Sequence, residues 1–512
     1  MDVRNPRDLL GQHPHLVVMD LDQDACYRAV ATRDARFDGR FFGAVKTTGI
    51  YCRPVCPATT PKRANMTFYP TAAAAEEAGY RPCLRCRPET APDVGAWRGS
   101  SNTVNRALAV IEHGALDDGR DVAALAERLG VGERQLRRLF RQHLGASPIS
   151  VAQTRRMHLA KQLLHETRLP MAEVALASGF GSVRRFNETF QTLFARPPSA
   201  LRRAAGEETS AGPEGQVLLK LRYRPPYDWD AMLAFLAARA IPGMELVEGG
   251  AYARVVEIDG ELGSVRVCPA DGESALAVQV RFPRLSALPA IIARVRRVFD
   301  LAADPQAINA HLSRDLALAP LIAARPGLRA PGGWDGFELA ARAILGQQVT
   351  VGAAIGLAGR LVQTYGEPVS VSATGDARLT RAFPRPERLA DEDLALPMPG
   401  ARRKALAGIA AAVAADPGLL GLGRSLEDAV EQLKALPGVG EWTAQYIALR
   451  GMREPDAFPA ADVGLMRALA DAEGVRPTAA ELLEHAERWR PWRAYAAQHL
   501  WTAAPTATEK AA

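Results

Sequence analysis

At 512 residues the chain exceeds what one hydrophobic core sustains, so three or four domains are expected. With 48% hydrophobic and 23% charged residues it is neither a disordered nor a fibrous chain, and no run approaches the ~20 apolar residues of a membrane span. A formal charge of +6 is modest over this length, so any attraction for a polyanion must come from local clusters of arginine. The opening stretch, MDVRNPRDLLGQHPHLVVMD, lacks a basic segment followed by an apolar core. That predicts a cytoplasmic, nucleoid-associated protein with no membrane partner. Disulfides are rare in such a reducing compartment, so clustered cysteines point to metal or catalysis.

The cysteines are Cys26, Cys52, Cys56, Cys83, Cys86 and Cys268. Four of them form Cys52-x3-Cys56 and Cys83-x2-Cys86, two close pairs separated by a loop. This spacing fits one tetrahedral zinc site with bonds of ~2.3 Å; the alternative is four free thiols in a small core. Cys26 and Cys268 lack partners and are expected to be buried. Arg53, Lys62, Arg63, Arg81, Arg85 and Arg87 crowd the ligands, and such basicity predicts a phosphate nearby. The stretch FFGAVKTTGIYCRPVCPATTPKRANMTFYPTAAAAEEAGYRPCLRCRP closely resembles the N-terminal zinc domain of the Ada family of methylation-damage response proteins. The resemblance implies that Cys52 accepts a methyl group from a DNA methylphosphotriester and that Cys56, Cys83 and Cys86 complete the set of ligands for a single Zn²⁺. Four thiolates on Zn²⁺ carry a formal charge of −2, and methylating one leaves −1. Methylated Cys52 is therefore expected to bind DNA more tightly.

From about residue 103 the pattern turns helical and repeats. Val122, Leu125, Ala126 and Leu129 recur at helical spacing, Gly130 marks a turn, and Leu136, Phe140 and Leu144 line a second helix. Phe186, Phe190, Phe194 and Pro198 follow fifty positions after Leu136, Phe140, Leu144 and Pro148. Helix, turn and helix, twice over, is the layout of paired helix-turn-helix units. The second helices carry Arg134, Gln135, Arg137, Arg138 and Arg141 in one copy, and Ser182, Arg184, Arg185 and Asn187 in the other. These side chains suit phosphates and base edges, although a basic helical face is often merely solvated. The duplication, linked through RRMHLAKQLL, resembles the DNA-binding domains of the AraC family. The resemblance implies double-stranded promoter DNA as a partner, with RNA polymerase a further one.

AAGEETSAGPEGQ, at 204–216, is small and polar and reads as a linker. QVLLKLRYRPPYDWDAMLAFLAARA then begins as a strand and becomes a helix. YARVVEIDGELGSVRVCP and ALAVQVRFPR read as strands joined by a glycine-containing turn. After about residue 286 the pattern is nearly all helical. LPGVG, at 436–440, forms a tight turn between two amphipathic helices, where Gly438 and Gly440 let backbone amides approach a DNA phosphate. Asp462 follows in FPAADVG and reads most simply as a helix N-cap. Yet RPPYDWDAMLAFLAARA, RAILGQQVTV, LPGVGEWTAQYIALRG, FPAADVG and WRPWRAYAAQHLW together closely resemble 3-methyladenine DNA glycosylase II, AlkA, over about 219–502. The resemblance implies that Asp462 is the catalytic carboxylate, and that Phe235, Trp442, Tyr446 and Trp501 are aromatics around the pocket for the flipped base. It implies no cofactor. Alkylated purines are often cationic, so electron-rich rings are expected to attract them. Bifunctional relatives carry a catalytic lysine where this chain has Trp442, which predicts a monofunctional glycosylase that leaves an abasic site. Two positions depart from the pattern. Gln348 occupies the place of a leucine wedge, and Thr502 replaces an aromatic.

The expected architecture is multidomain α+β. A small four-cysteine zinc domain spans 1–95, an all-α duplicated helix-turn-helix domain 100–203, and a linker 204–216. A mixed α/β AlkA-like N-terminal domain follows at 217–302, then an all-α helix-hairpin-helix glycosylase domain at 303–505 and a tail at 506–512. The expected function is DNA alkylation response joined to base-excision repair. The rivals are a pure regulator with an inactive glycosylase fold, and a repair enzyme that uses its N-terminal half only for delivery to DNA. No counterpart of the Ada family's O6-alkylguanine methyltransferase domain is found, because no cysteine follows Cys268.

Overall fold

The computed structural model describes residues 22–92, 102–112, 114–117, 121–204, 216–390, 393–421, 424–471 and 473–503. The expected N-terminal start, most of the linker and the C-terminal tail lie outside these residues.

The first domain is a sheet of four short strands, β1 (Phe42–Val45), β2 (Ile50–Cys52), β3 (Met66–Tyr69) and β4 (Arg81–Pro82), ordered β3-β1-β2-β4. β2 and β4 run parallel, the others antiparallel. Helix Gln23–Ala31 packs on it through Cys26, Ala29 and Val30, and meets Phe41, Met66 and Phe68. Cys26 is buried there as expected, by burial that pushes its thiol up to about 11.

Two helix pairs follow, Val122–Arg128 with Glu133–Leu144 and Met171–Ala177 with Val183–Phe194, joined by the long helix Pro148–Glu166. The repeat read from sequence holds in three dimensions: Leu136, Phe140 and Leu144 are buried in one copy, and Phe186, Phe190 and Phe194 in the other. Gly130 and Gly179 both turn the chain with positive φ, the left-handed region that glycine enters without a Cβ penalty. The helix Pro148–Glu166 also ties this domain to the first. Its Thr154 hydroxyl donates to Glu76 (2.6 Å), and its Lys161 pairs with Glu89 (2.7 Å), both side chains 0% exposed.

A five-stranded antiparallel sheet comes next. Its strands are β5 (Gln216–Arg222), β6 (Glu245–Glu248), β7 (Ala251–Ile258), β8 (Glu261–Pro269) and β9 (Ala275–Arg281), in the order β5-β9-β8-β7-β6. β7 and β8 meet in a two-residue turn in which Asp259 (φ 50°) and Gly260 (φ 87°) are both left-handed, the geometry that matches strand twist. β5 alternates buried and exposed side chains, and its edge is covered: Glu166 accepts the Lys220 backbone N–H at 3.0 Å, and Gln162 donates to the Lys220 carbonyl at 2.9 Å. Cys268, expected to be buried, is instead partly exposed, because it takes an outward-facing position near the end of β8. Helix Leu288–Val298 packs on the sheet through Ile291, Ile292 and Val295.

Beyond β9 no further strand occurs among the described residues, and a second large core gathers helices from Pro305 to Ala503. The zinc domain also touches this half. Arg40 pairs with Asp304 at 2.7 Å, and Arg224 reaches both Asp304 (3.4 Å) and the Asp38 carbonyl. The fold is multidomain α+β.

Candidate functional site

β2 ends on Cys52, and its parallel pairing with β4 brings the second cysteine pair alongside: the Cys83 N–H donates to the Tyr51 carbonyl at 3.0 Å. The four sulfurs of Cys52, Cys56, Cys83 and Cys86 lie within 4.8 Å of one another. A tetrahedral ion with bonds of ~2.3 Å needs sulfurs about 3.8 Å apart, so the cluster fits one ion. The donor set also calls for a cation. Only a bound divalent cation makes four adjacent thiolates compatible at neutral pH. Cys56, Cys83 and Cys86 are buried, and Cys52 alone is partly exposed.

The surrounding basicity is smaller than the sequence implies. Arg53 is turned inward, bonded to Asp38, to Thr90 (2.6 Å) and to the Cys86 carbonyl (3.2 Å). Arg63 pairs with Asp24 at 2.8 Å, and Arg87 with Glu89 at 3.1 Å. Lys62, Arg81 and Arg85 remain exposed and available to a phosphate.

On the second helices, Arg134, Gln135, Arg137, Arg138 and Arg141 are exposed, as are Arg184, Arg185 and Asn187. Some are engaged within the protein. Arg137 pairs with Glu133 (2.6 Å), Arg184 with Glu188 (2.8 Å), and Arg141 with Glu77 of the zinc domain. The Ser182 hydroxyl caps its helix by accepting the Arg185 N–H at 3.2 Å, so it is a structural cap.

In the C-terminal half, helices Leu426–Lys434 and Glu441–Arg450 enclose the glycine turn. The two glycines serve different ends. Gly438 has φ +80°, and a Cβ there would lie 2.5 Å from the Ala405 Cβ; Gly440 faces open space at the N-cap of the second helix. Gln347, which sequence reasoning passed over, donates to the Gly438 carbonyl at 3.0 Å and so ties the hairpin to its neighbour Gln348. Gln348 is exposed at a left-handed φ of 57°.

Asp462 caps helix Val463–Ala468, as its local sequence predicts, accepting the N–H groups of Gly464 (2.8 Å) and Leu465 (3.0 Å). It does more than cap. The indole N–H of Trp442 donates to its Oδ2 at 2.8 Å, and that of Trp501 to its Oδ1 at 2.9 Å. Trp442 stacks on Tyr446 with centroids 5.2 Å apart, and Tyr446 meets Trp501 edge-on at 6.3 Å. Among the described residues, no amine side chain hydrogen-bonds to Asp462. Phe235, from helix Trp229–Ala237, joins the group through Arg450, whose guanidinium carbon is 4.5 Å from its ring centroid. Arg450 escaped the sequence reading, although Trp442, Tyr446 and Arg450 stand at i, i+4 and i+8 on one helix.

Fold and sites together define a DNA-binding protein that joins a metal-centred regulator half to a glycosylase half. Residues 25–89 match the metal binding domain of Ada, 125–204 a helix-turn-helix domain, and 218–335 the AlkA N-terminal domain. The "Probable bifunctional transcriptional activator/DNA repair enzyme AlkA" of Mycobacterium tuberculosis is 44% identical over 486 residues, covering 94% of this chain and 96% of its own. DNA-3-methyladenine glycosylase 2 of Escherichia coli is 38% identical over 285 residues, 55% of this chain and 95% of that enzyme. The bifunctional transcriptional activator/DNA repair enzyme Ada of Escherichia coli is 37% identical over 128 residues, 25% of this chain and 34% of that protein. The chain belongs to the family of bifunctional transcriptional activator/DNA repair enzymes AlkA.

Proposed function

We propose that the chain excises alkylated bases of the 3-methyladenine type with its C-terminal half and senses DNA methylation damage with its N-terminal half. The observation that carries the first part is Asp462, clasped by the Trp442 and Trp501 indoles and two backbone amides beside the hairpin. Breaking the N-glycosidic bond leaves the electron pair on the base and builds positive charge on the sugar. Asp462, oriented by four N–H donors, stabilises that charge without reorganising. Water then adds to the sugar, and the product is an abasic site. Trp442 stands at the hairpin position where bifunctional relatives carry the lysine that forms a Schiff base, so the reaction ends there and the glycosylase is monofunctional. Gly438 and Gly440 hold a phosphate through the hairpin amides, and Gln348 fills the gap left by the flipped base.

In the N-terminal half, Cys52 is the methyl acceptor. Its sulfur bonds to the methyl carbon of a phosphotriester, the carbon–oxygen bond breaks, and the phosphodiester leaves as an anion. Zinc, held by Cys52, Cys56, Cys83 and Cys86, keeps the thiols deprotonated at neutral pH. The product thioether does not revert, so this half acts once per molecule, as a stoichiometric methyltransferase. Arg134, Arg137, Arg138, Arg184 and Arg185 then engage promoter DNA, and the bound protein recruits RNA polymerase in the cytoplasm. The test is incubation of the full chain with duplexes carrying 3-methyladenine or a methylphosphotriester. Alkali-labile abasic sites from the first and a methylated Cys52 from the second are expected; no base release from any lesion would favour a purely regulatory protein.

A further inference from the structure

A short loop, 346–350, joins helix Gly336–Leu345 to helix Val351–Tyr365. Its two ends are pinned locally. The Gly346 N–H donates to the Arg342 carbonyl at 3.0 Å, and the Thr350 hydroxyl accepts the Ala353 N–H at 3.3 Å. Between them Gln348 holds a left-handed φ of 57°, a conformation that a Cβ disfavours and that persists only where the surroundings over-determine it. Gln348, Val349 and Thr350 are all exposed, so their own burial does not fix the loop. The half-buried side chain of Gln347 does.

Gln347 directs its amide at the hairpin. Its Nε2 donates to the Gly438 carbonyl at 3.0 Å and to the Thr443 hydroxyl at 3.0 Å. A carbonyl only accepts, so Gly438 fixes which end of the amide faces the hairpin. Both acceptors are themselves held. Gly438 sits against Ala405, where an added Cβ would come within 2.5 Å, and Thr443 is 3% exposed in the first turn of the helix that also carries Trp442. One planar amide therefore locks together the loop that presents Gln348, the glycine turn and the helix whose Trp442 indole reaches Asp462. A side chain that fills the gap behind a flipped base must stand at the right height when the base leaves the stack. Misplacing such a group by about 1 Å costs on the order of a hundredfold in rate.

We propose that Gln347 is a positioning residue of the glycosylase half: its amide, bonded to Gly438 and Thr443, sets the height from which Gln348 enters the duplex. The assignment rests on the reading above in which Gln348 fills the gap left by the flipped base. Its test uses the full chain in excess over a 3-methyladenine duplex. Single-turnover base release is compared for wild type, Gln347→Leu, Gln348→Ala and the double variant. Unstacking is followed in parallel by the fluorescence of 2-aminopurine placed beside a tetrahydrofuran abasic analogue. Each single variant should release base about tenfold more slowly, and the double variant no more slowly than Gln348→Ala alone, because Gln347 then has nothing left to position. The fluorescence rise on binding should shrink alike in both single variants. Gln347→Leu at the wild-type rate would overturn the assignment and leave the glycosylase reading intact. So would a double variant slowed by the product of the two single losses, the result that a general loosening of the hairpin gives. Gln348→Ala at the wild-type rate would overturn the role of Gln348 and this assignment with it. A wild type that releases no base would overturn the glycosylase reading itself.

Discussion

Replacing Lys161 by Met removes one half of an ion pair that is closed to water on both sides. Lys161 Nζ lies 2.7 Å from Glu89 Oε2 and 3.5 Å from the Cys83 carbonyl, and both side chains are 0% exposed. Losing one partner of such a pair costs about 3–5 kcal/mol, because the remaining charge stays buried. Arg87, 3.1 Å from Glu89 Oε1, still offers some compensation, which places the loss near the lower bound, about 3 kcal/mol. Glu89 lies three residues after Cys86, so the damage should appear as easier metal loss. Zinc release along a urea series, followed with a chromophoric chelator, should shift its midpoint down by about 1–3 M. The pH dependence has a definite sign. Burial raises the Glu89 carboxyl, but Lys161 and Arg87 outweigh it and hold the group below its usual value. Its contribution is therefore present above the unfolded value and lost as pH falls through the folded one. In Lys161→Met burial dominates, and the deficit should be largest at neutral pH and shrink on acidification. Replacing both Lys161 and Glu89 by Met should restore most of the stability. An unchanged midpoint, or a double variant no better than the single, would refute the reasoning.

Gly438→Ala forces a Cβ to 2.5 Å from the Ala405 Cβ at a φ of +80° and should cost about 2–4 kcal/mol in thermal unfolding of the C-terminal half. Gly440→Ala meets open space, so it should leave the unfolding temperature alone while weakening binding to abasic-site DNA. Protein carrying a methylated Cys52 should bind its target duplex more tightly than unmodified protein, as read by fluorescence anisotropy; equal affinity would remove the charge-based switch. Borohydride added during base release should trap no protein–DNA adduct, and a trapped adduct would contradict a monofunctional reaction.

The parts legible in the sequence are those fixed by short spacing. Two cysteine pairs, a fifty-residue repeat of large apolar side chains and a glycine turn followed by an aspartate each declare themselves within a few residues. What stayed hidden depends on partners distant in the chain. Arg53 reads as a phosphate ligand because Asp38, which takes it up, is brought close by the fold and not by any motif. Arg450 at a helix end reads as an ordinary complement to the helix dipole until Phe235, from another domain, closes over it. The dual nature of Asp462 was half visible. Its capping role follows from local sequence, whereas the two indole N–H donors come from positions 442 and 501. Short β6 escaped because ELVE carries too little alternation to stand out, and its pairing with β7 defines it.

The most direct test is single-turnover base release from a 3-methyladenine duplex by wild type and by Asp462→Asn. Asparagine caps a helix as well as aspartate does and nearly matches its shape, so the fold should survive, while the negative charge and the acceptor for the Trp442 N–H are lost. The rate should fall by about a hundred- to a thousandfold, with binding to abasic-site DNA retained. A variant that releases base at close to the wild-type rate would show that Asp462 is a helix cap and nothing more, and the catalytic account would fail with it.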